Sequence, residues 1–150
     1  MKKFLPFILC IIPLSFCTLI LGPKGAESPE QLLQLCEKYH HSQHVLKMMR
    51  LYKTEGVSPT YIKTHKRTLK KYFSRRPVDF AIKYLTDEEK IFFNQTFHAQ
   101  RQSIKYNLDL IGQISVQYEG NYQEAFLFGK EEEKYFFGLQ VDISQTTNNQ

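Results

Sequence analysis

Apolar positions recur at two rhythms along the chain, and the change falls near Arg76. Before it the spacing is helical. In "SPEQLLQLCEKYH", Leu32, Leu35, Cys36 and Tyr39 form one apolar stripe. Ser28 supplies a cap for free backbone N–H groups, Pro29 suits the first helical position, and Glu30 favours the positive end of the helix. Val45, Met48, Met49 and Tyr52 continue the helical spacing in a second element that is expected to end near Gly56. "SPTYIK" then repeats the start signal for a third helix, with Ser58 as cap and Pro59 behind it.

After Arg76 the period drops to two. "PVDFAIKYL" alternates Val78, Phe80, Ile82 and Tyr84, the mark of a half-buried strand. "IGQISVQYEG" alternates Ile114, Val116 and Tyr118 and stops at Gly120, and "QEAFLFGKEEEKYFFGLQVDIS" reads as two strands joined around Glu131–Glu133. "IFFNQTFHAQRQSIKYN" fits a strand or a loose hairpin, with a short helix before it if Thr86 and Glu89 form a capping box. The fold class expected is therefore α+β: three N-terminal helices packed on a curved, mainly antiparallel sheet. That domain spans 28–143, behind a linker at 23–27, and the polar tail at 144–150 is expected to be disordered.

The N-terminus changes the picture. Met1-Lys2-Lys3 precedes nineteen residues, Phe4 to Gly22, without a charge. The run matches a signal peptide with cleavage after Cys17. It is almost long enough to span a bilayer, which takes about 20 apolar residues, but Pro6 and Pro13 interrupt a continuous helix. A cleaved export signal is the leading reading, with a retained membrane anchor and lipid attachment at Cys17 as alternatives. Export across the cytoplasmic membrane, or anchoring in it, places the domain on the periplasmic or cell-envelope side. Cys36 is then the one cysteine outside this run, so it has no internal disulfide partner, and its helical stripe points to buried packing.

Charge divides unevenly within the net +5. Residues 38–83 hold 12 basic and 2 acidic groups, whereas 84–150 hold 5 and 10. The basic excess peaks in "YIKTHKRTLKKYFSRR". On a helix, Ile62, Leu69 and Phe73 cluster, Tyr61, His65 and Tyr72 flank them on one side, and Lys63, Lys66, Arg67, Lys70 and Lys71 form an arc on the other. That arc reads first as a solvated helix face and second as a docking face for acidic lipid or an acidic protein. Three like-charge pairs at i,i+4 oppose the helix by about 0.2–0.5 kcal/mol each, a cost small enough to be accidental, or one for the protein's own acidic half, Glu131–Glu133 for example, to relieve. Nucleic acid is not expected, since no recognised binding motif occurs.

Other candidate chemistry is sparse. His40 and His44 in "HHSQH" are four apart, but they fall where one helix should stop and the next begin, so an interhelical turn is expected there, with a weak metal site as the lesser alternative. Asn94-Gln95-Thr96 matches a glycosylation acceptor, a short pattern with many chance occurrences. The phenylalanines at strand spacing read as core before they read as a ligand cage. No catalytic constellation and no cofactor motif is legible.

Ser28-Pro29-Glu30 opening the first helix, the basic third helix, "NLDLIGQISVQYEG" and "AFLFGKEEEKYFFGLQV" together resemble the nuclear-transport-factor-like, or cystatin-like cone (SnoaL-like), superfamily. The likeness is nearest to its small exported bacterial proteins without an assigned activity. It implies a curved sheet wrapped around a long helix, enclosing a cone that is an active site, a ligand pocket or plain core. His98, Asp109 and Tyr118 are the polar groups expected at the base of an open cone. The function expected is a non-catalytic binding or scaffolding domain, exported or membrane-tethered through residues 4–22. The alternative is a pocket enzyme or a small-molecule carrier with an aromatic-lined pocket.

Overall fold

The computed structural model describes residues 23–99 and 102–144. The apolar run, with its cleavage or lipidation at Cys17, and residues 145–150 of the tail lie outside the described residues. Three helices come first: α1 (Pro29–His41), α2 (Val45–Met49) and α3 (Pro59–Phe73). Then follow β1 (Pro77–Tyr84), α4 (Asp87–Asn94), β2 (Phe97–Ala99), β3 (Gln102–Tyr106), β4 (Leu110–Tyr118), β5 (Tyr122–Glu131), β6 (Lys134–Phe137) and β7 (Gln140–Asp142). The class is α+β, helices followed by open antiparallel sheet.

The starts of α1, α3 and α4 each have a side-chain cap. The hydroxyls of Ser28 and Ser58 accept the backbone N–H groups of Gln31 and Tyr61 at 3.1 and 3.2 Å. Thr86 and Glu89 form the capping box of α4: the Thr86 hydroxyl accepts from Glu89 N–H at 3.2 Å, and Glu89 accepts from Thr86 N–H at 2.8 Å. The second helix is shorter than its spacing predicts, ending at Met49 instead of near Gly56. Its continuation is taken by the sheet: Phe137 N–H donates to Leu51 O and Lys53 N–H donates to Phe137 O, at 2.8 and 3.0 Å. The free edge of β6 thus gains a partner, and Tyr52 is turned into the core.

The strands form two sheets where one was expected: a four-stranded sheet in the order β1-β4-β5-β6 and a three-stranded sheet β2-β3-β7. The last apolar stretch divides at Gly138, so it supplies three strands, β5, β6 and β7, in place of two. Gly138 lies against Leu110, whose Cδ2 would be 2.9 Å from a Cβ there, so the chain crosses tightly from one sheet to the other.

β4 shows why alternation is legible. Leu110, Gly112, Ile114, Val116 and Tyr118 are buried, and the residues between them are half-exposed. The buried face joins Leu32 and Cys36 of α1, Met48 and Met49 of α2, Leu69 and Phe73 of α3, and Phe126, Phe128 and Phe137 of the neighbouring strands in one core. Full burial of a Leu, Ile, Val or Phe side chain contributes about 1.5–3 kcal/mol, so this layer contact holds helices to sheet.

Two local ties complete the frame. Asn94, the residue of the glycosylation pattern, is bound to the start of β4: its amide donates to Leu110 O at 3.0 Å and accepts from Leu110 N–H at 2.6 Å. Residues 23–27, read as a linker, are fixed at Ala26, which exchanges two hydrogen bonds of 2.8 and 2.9 Å with Tyr135 of β6.

Candidate functional site

The α3 helix carries three stripes, and each meets a different environment. Leu69 and Phe73 are buried against the sheet. Tyr61, His65, Thr68 and Tyr72, spaced by four, three and four residues, line a cleft of about 240 Å³. Its opposite wall is β5 from Glu124 to Leu127, with Gly138, Leu139 and Gln140 beyond and Tyr106 and Tyr52 completing the lining.

Tyr52 reaches this cleft because the chain leaves α2 early to pair with β6. It is 2% exposed, and its ring packs on Phe137 at 5.1 Å between centroids. Its hydroxyl is shielded from solvent and has no hydrogen-bond partner among the described residues. The His65 ring stands edge-on to Tyr52 at 4.6 Å, and its Nε2 is likewise shielded and unpartnered. Leaving a buried donor or acceptor unsatisfied costs about 1–3 kcal/mol. Both atoms sit behind the lining of one small cleft, in residues that wall it.

Burial sets the protonation of these groups. It lowers His65 to about 4, so the imidazole is neutral at pH 7 and offers either a donor or an acceptor. Burial also raises the Tyr52 phenol well above its usual range. The Tyr72 phenol is raised by burial first and then by the nearby Glu124 carboxylate. Glu124 lies on the inward face of β5, where the Tyr122 hydroxyl donates to it at 2.9 Å. At neutral pH the cleft therefore presents neutral phenols and a neutral imidazole, with Glu124 beside them.

The third stripe faces outward. Lys63, Arg67, Lys70 and Lys71 are exposed and Lys66 is half-exposed. Among the described residues none of the five is in an ion pair. The acids expected to offset them are engaged elsewhere: Glu131 pairs with Lys53, and Glu133 with Lys130 at 3.6 Å. The cations that follow α3 are different, since Arg75 stacks over the Tyr122 ring at 3.7 Å and Arg76 pairs with Glu119 at 3.2 Å.

His98, Asp109 and Tyr118 do not come together. His98 lies in β2, exposed, its Nδ1 2.9 Å from the Ser103 hydroxyl. Asp109 is exposed beside an open, charged depression with Lys53, Lys105 and Lys130 in its lining. Tyr118 is at the far end of β4, about 30 Å of extended chain from Asp109 at roughly 3.3 Å per residue. It is 1% exposed, in a region filled by side chains.

Its partner there is a residue that sequence spacing assigned to a turn. His40 lies in the last turn of α1, 1% exposed, with Nε2 3.1 Å from the Tyr118 hydroxyl and its ring 4.7 Å from that of Phe73. The turn begins only at Ser42, and His44 caps α2, so the two histidines do not stack on one helix. The cleft pair, Tyr52 and His65, also escaped sequence reasoning. The available signal was the stripe Tyr61, His65 and Tyr72 between an apolar and a basic face.

Cys36 is fully buried, and burial raises its thiol, which leaves it unsuited to nucleophilic work. Among the described residues no helix is long and apolar enough to cross a membrane. Comparison with known protein families, curated proteins and solved structures finds no match.

Proposed function

We propose that the protein is a non-catalytic binding domain, exported or anchored through residues 4–22, whose ligand is a small aromatic or ring-bearing molecule with one polar substituent. The observation that carries this reading is a cleft walled by tyrosines with two unpartnered polar atoms, Tyr52 Oη and His65 Nε2, just behind its lining, where a small side-chain shift on binding brings them to the ligand. Aromatic walls stack a flat ligand, and a few polar groups fix its orientation. Binding is favoured over catalysis because both groups are held neutral and no activated nucleophile stands beside them. The likeness to the cone superfamily belongs to the same proposal. Helices lying on one face of an open antiparallel sheet, with a cleft beside α3, support it.

The test is a titration of the full chain in neutral detergent with phenol, benzamide and indole, followed by the His65 imidazole resonances. At least one probe should give a saturable shift, and Tyr52→Phe should weaken that probe about tenfold, the equivalent of 1.4 kcal/mol. No saturable shift with any of the three, or equal affinity in the variant, would rule the reading out.

A second reading rests on the unpaired cations of α3, which suit an acidic lipid surface or an acidic protein. Each basic residue near an anionic membrane contributes about 1 kcal/mol. Reversing Lys63, Arg67 and Lys70 to glutamate should abolish the excess partition of the full chain into phosphatidylglycerol-containing vesicles over phosphatidylcholine vesicles. An unchanged excess retires this docking face.

A further inference from the structure

A second cavity, of about 310 Å³, lies between the start of the domain, α1, α2 and β6, and it shares no residue with the cleft under α3. Lys24, Lys38, Lys47, Arg50 and Lys134 line it, against a single carboxylate, Glu27. Glu27 is engaged with Lys134 at 3.3 Å, and the other four cations are in no ion pair among the described residues. The Arg50 Nε–H is shielded from solvent and has no acceptor among the described residues. Leu35, Tyr39 and Leu51 supply apolar wall.

These cations come from four separate elements, so their convergence is a product of the fold and not of one basic run. Residue 24 is brought there by backbone bonds: Lys24 and Gly25 N–H both donate to Arg50 O, at 2.8 and 3.3 Å. Lys38 sits in the last turn of α1 and Lys47 on α2, which the turn at Ser42–His44 folds back beside it. Like charges gathered around one recess repel one another, and their summed field there favours an anion. A guanidinium presents its donors in a planar fork that matches phosphate oxygens, while lysines act as mobile point charges around it.

We infer that this cavity is a binding site for a phosphate group carried on a small aliphatic or glycerol-like body. A phosphate brings up to two charges and several acceptor oxygens, enough to engage Arg50 and the surrounding lysines together. A monocarboxylate would satisfy the fork and leave the lysines unneutralised. The apolar wall takes the body of the ligand. Free phosphate esters and phospholipid headgroups share this chemistry. Lys24 follows the apolar run by two residues, which would bring the cavity close to a membrane surface if the run is retained.

The experiment uses the isotopically labelled full chain in a zwitterionic detergent, titrated with inorganic phosphate and with glycerol 3-phosphate, and separately placed in nanodiscs of phosphatidylcholine with or without phosphatidylglycerol. Saturable shifts at Lys24, Lys38, Lys47 and the Arg50 side chain are expected. The double variant Lys38→Gln/Lys47→Gln should lose affinity at least tenfold with an unchanged circular dichroism spectrum, and the control Arg76→Gln/Lys90→Gln, at surface cations outside the cavity and outside α3, should keep it. Saturation by the soluble phosphates assigns a free ester, and shifts that appear only with phosphatidylglycerol assign a headgroup. Absence of saturable shifts in every arm, or an equal loss in the control pair, overturns the site. The phenol, benzamide and indole titrations read a different cavity, so the two proposals fail independently.

Discussion

His40 and His65 are kept neutral by their surroundings, at about 4 against an ordinary 6.5, with burial as the main cause in both. For His40 the neighbouring His41 adds a smaller push in the same direction. A histidine whose folded pKa is lowered binds its proton more readily when unfolded. Stability is therefore complete above pH 6.5 and falls as the pH drops from 6.5 to about 4, where the folded state begins to bind the proton as well. For a residue as buried as His40 the full window corresponds to about 3 kcal/mol. Urea unfolding of the full chain should show a midpoint that is flat from pH 8 to 7 and declines steadily to pH 4. His40→Phe should remove part of that slope, since the site is already walled by Phe73 and Phe80. A slope unchanged in that variant would mean that other groups carry the acid sensitivity. Tyr118 gains its meaning at this scale too: it holds His40 Nε2 in the core, and the polar group expected at a pocket base is a core hydrogen bond.

At the scale of elements, Gly129 of β5 controls how the sheet is roofed. A Cβ there would run into the backbone carbonyl of Asp109, with Leu108 Cγ 2.9 Å away. The loop before β4 thus crosses directly over a position without a side chain, next to the register shift between Leu110 and Gly112. Backbone cannot swing aside as the tip of a lysine can. Gly129→Ala should destabilise by about 1–3 kcal/mol, the usual cost of overpacking, read as a lower urea midpoint, and an unchanged midpoint would show the loop to be free to lift. Elements were legible where local chemistry and burial agreed. The Ser-Pro starts of α1 and α3, the Thr86–Glu89 box of α4 and the alternation of β4 are each written within a few residues. The early end of α2 was not, because Leu51 and Tyr52 keep the apolar spacing while β6, more than eighty residues on, takes their backbone. The cleft was hidden for the same reason. His65 is visible on its stripe, but Tyr52 and Glu124 join it only through long-range pairing.

Over the whole molecule, the acidic half neutralises part of the basic one and leaves α3 untouched. Glu89, Glu119, Glu131 and Glu133 each hold a lysine or arginine outside α3, and the five cations of that helix keep facing one another and water. A surface selected for stability alone would intersperse the signs, so the helix carries a cost that substitution can reveal. Arg67 is the informative position, four residues from both Lys63 and Lys71. Arg67→Glu replaces two repulsive i,i+4 pairs with two attractive ones and should stabilise the fold by about 1 kcal/mol at low salt. At 1 M NaCl the screening length shrinks to about 3 Å, and most of the gain should vanish. Urea midpoints of the full chain at the two salt concentrations read both numbers. A gain that persists at high salt would assign the effect to packing, and a loss at low salt would mean that Arg67 already has a partner within the fold. If the stabilised variant also loses its preference for phosphatidylglycerol vesicles, the cost is tied to docking, in the pattern by which proteins trade stability for a working surface.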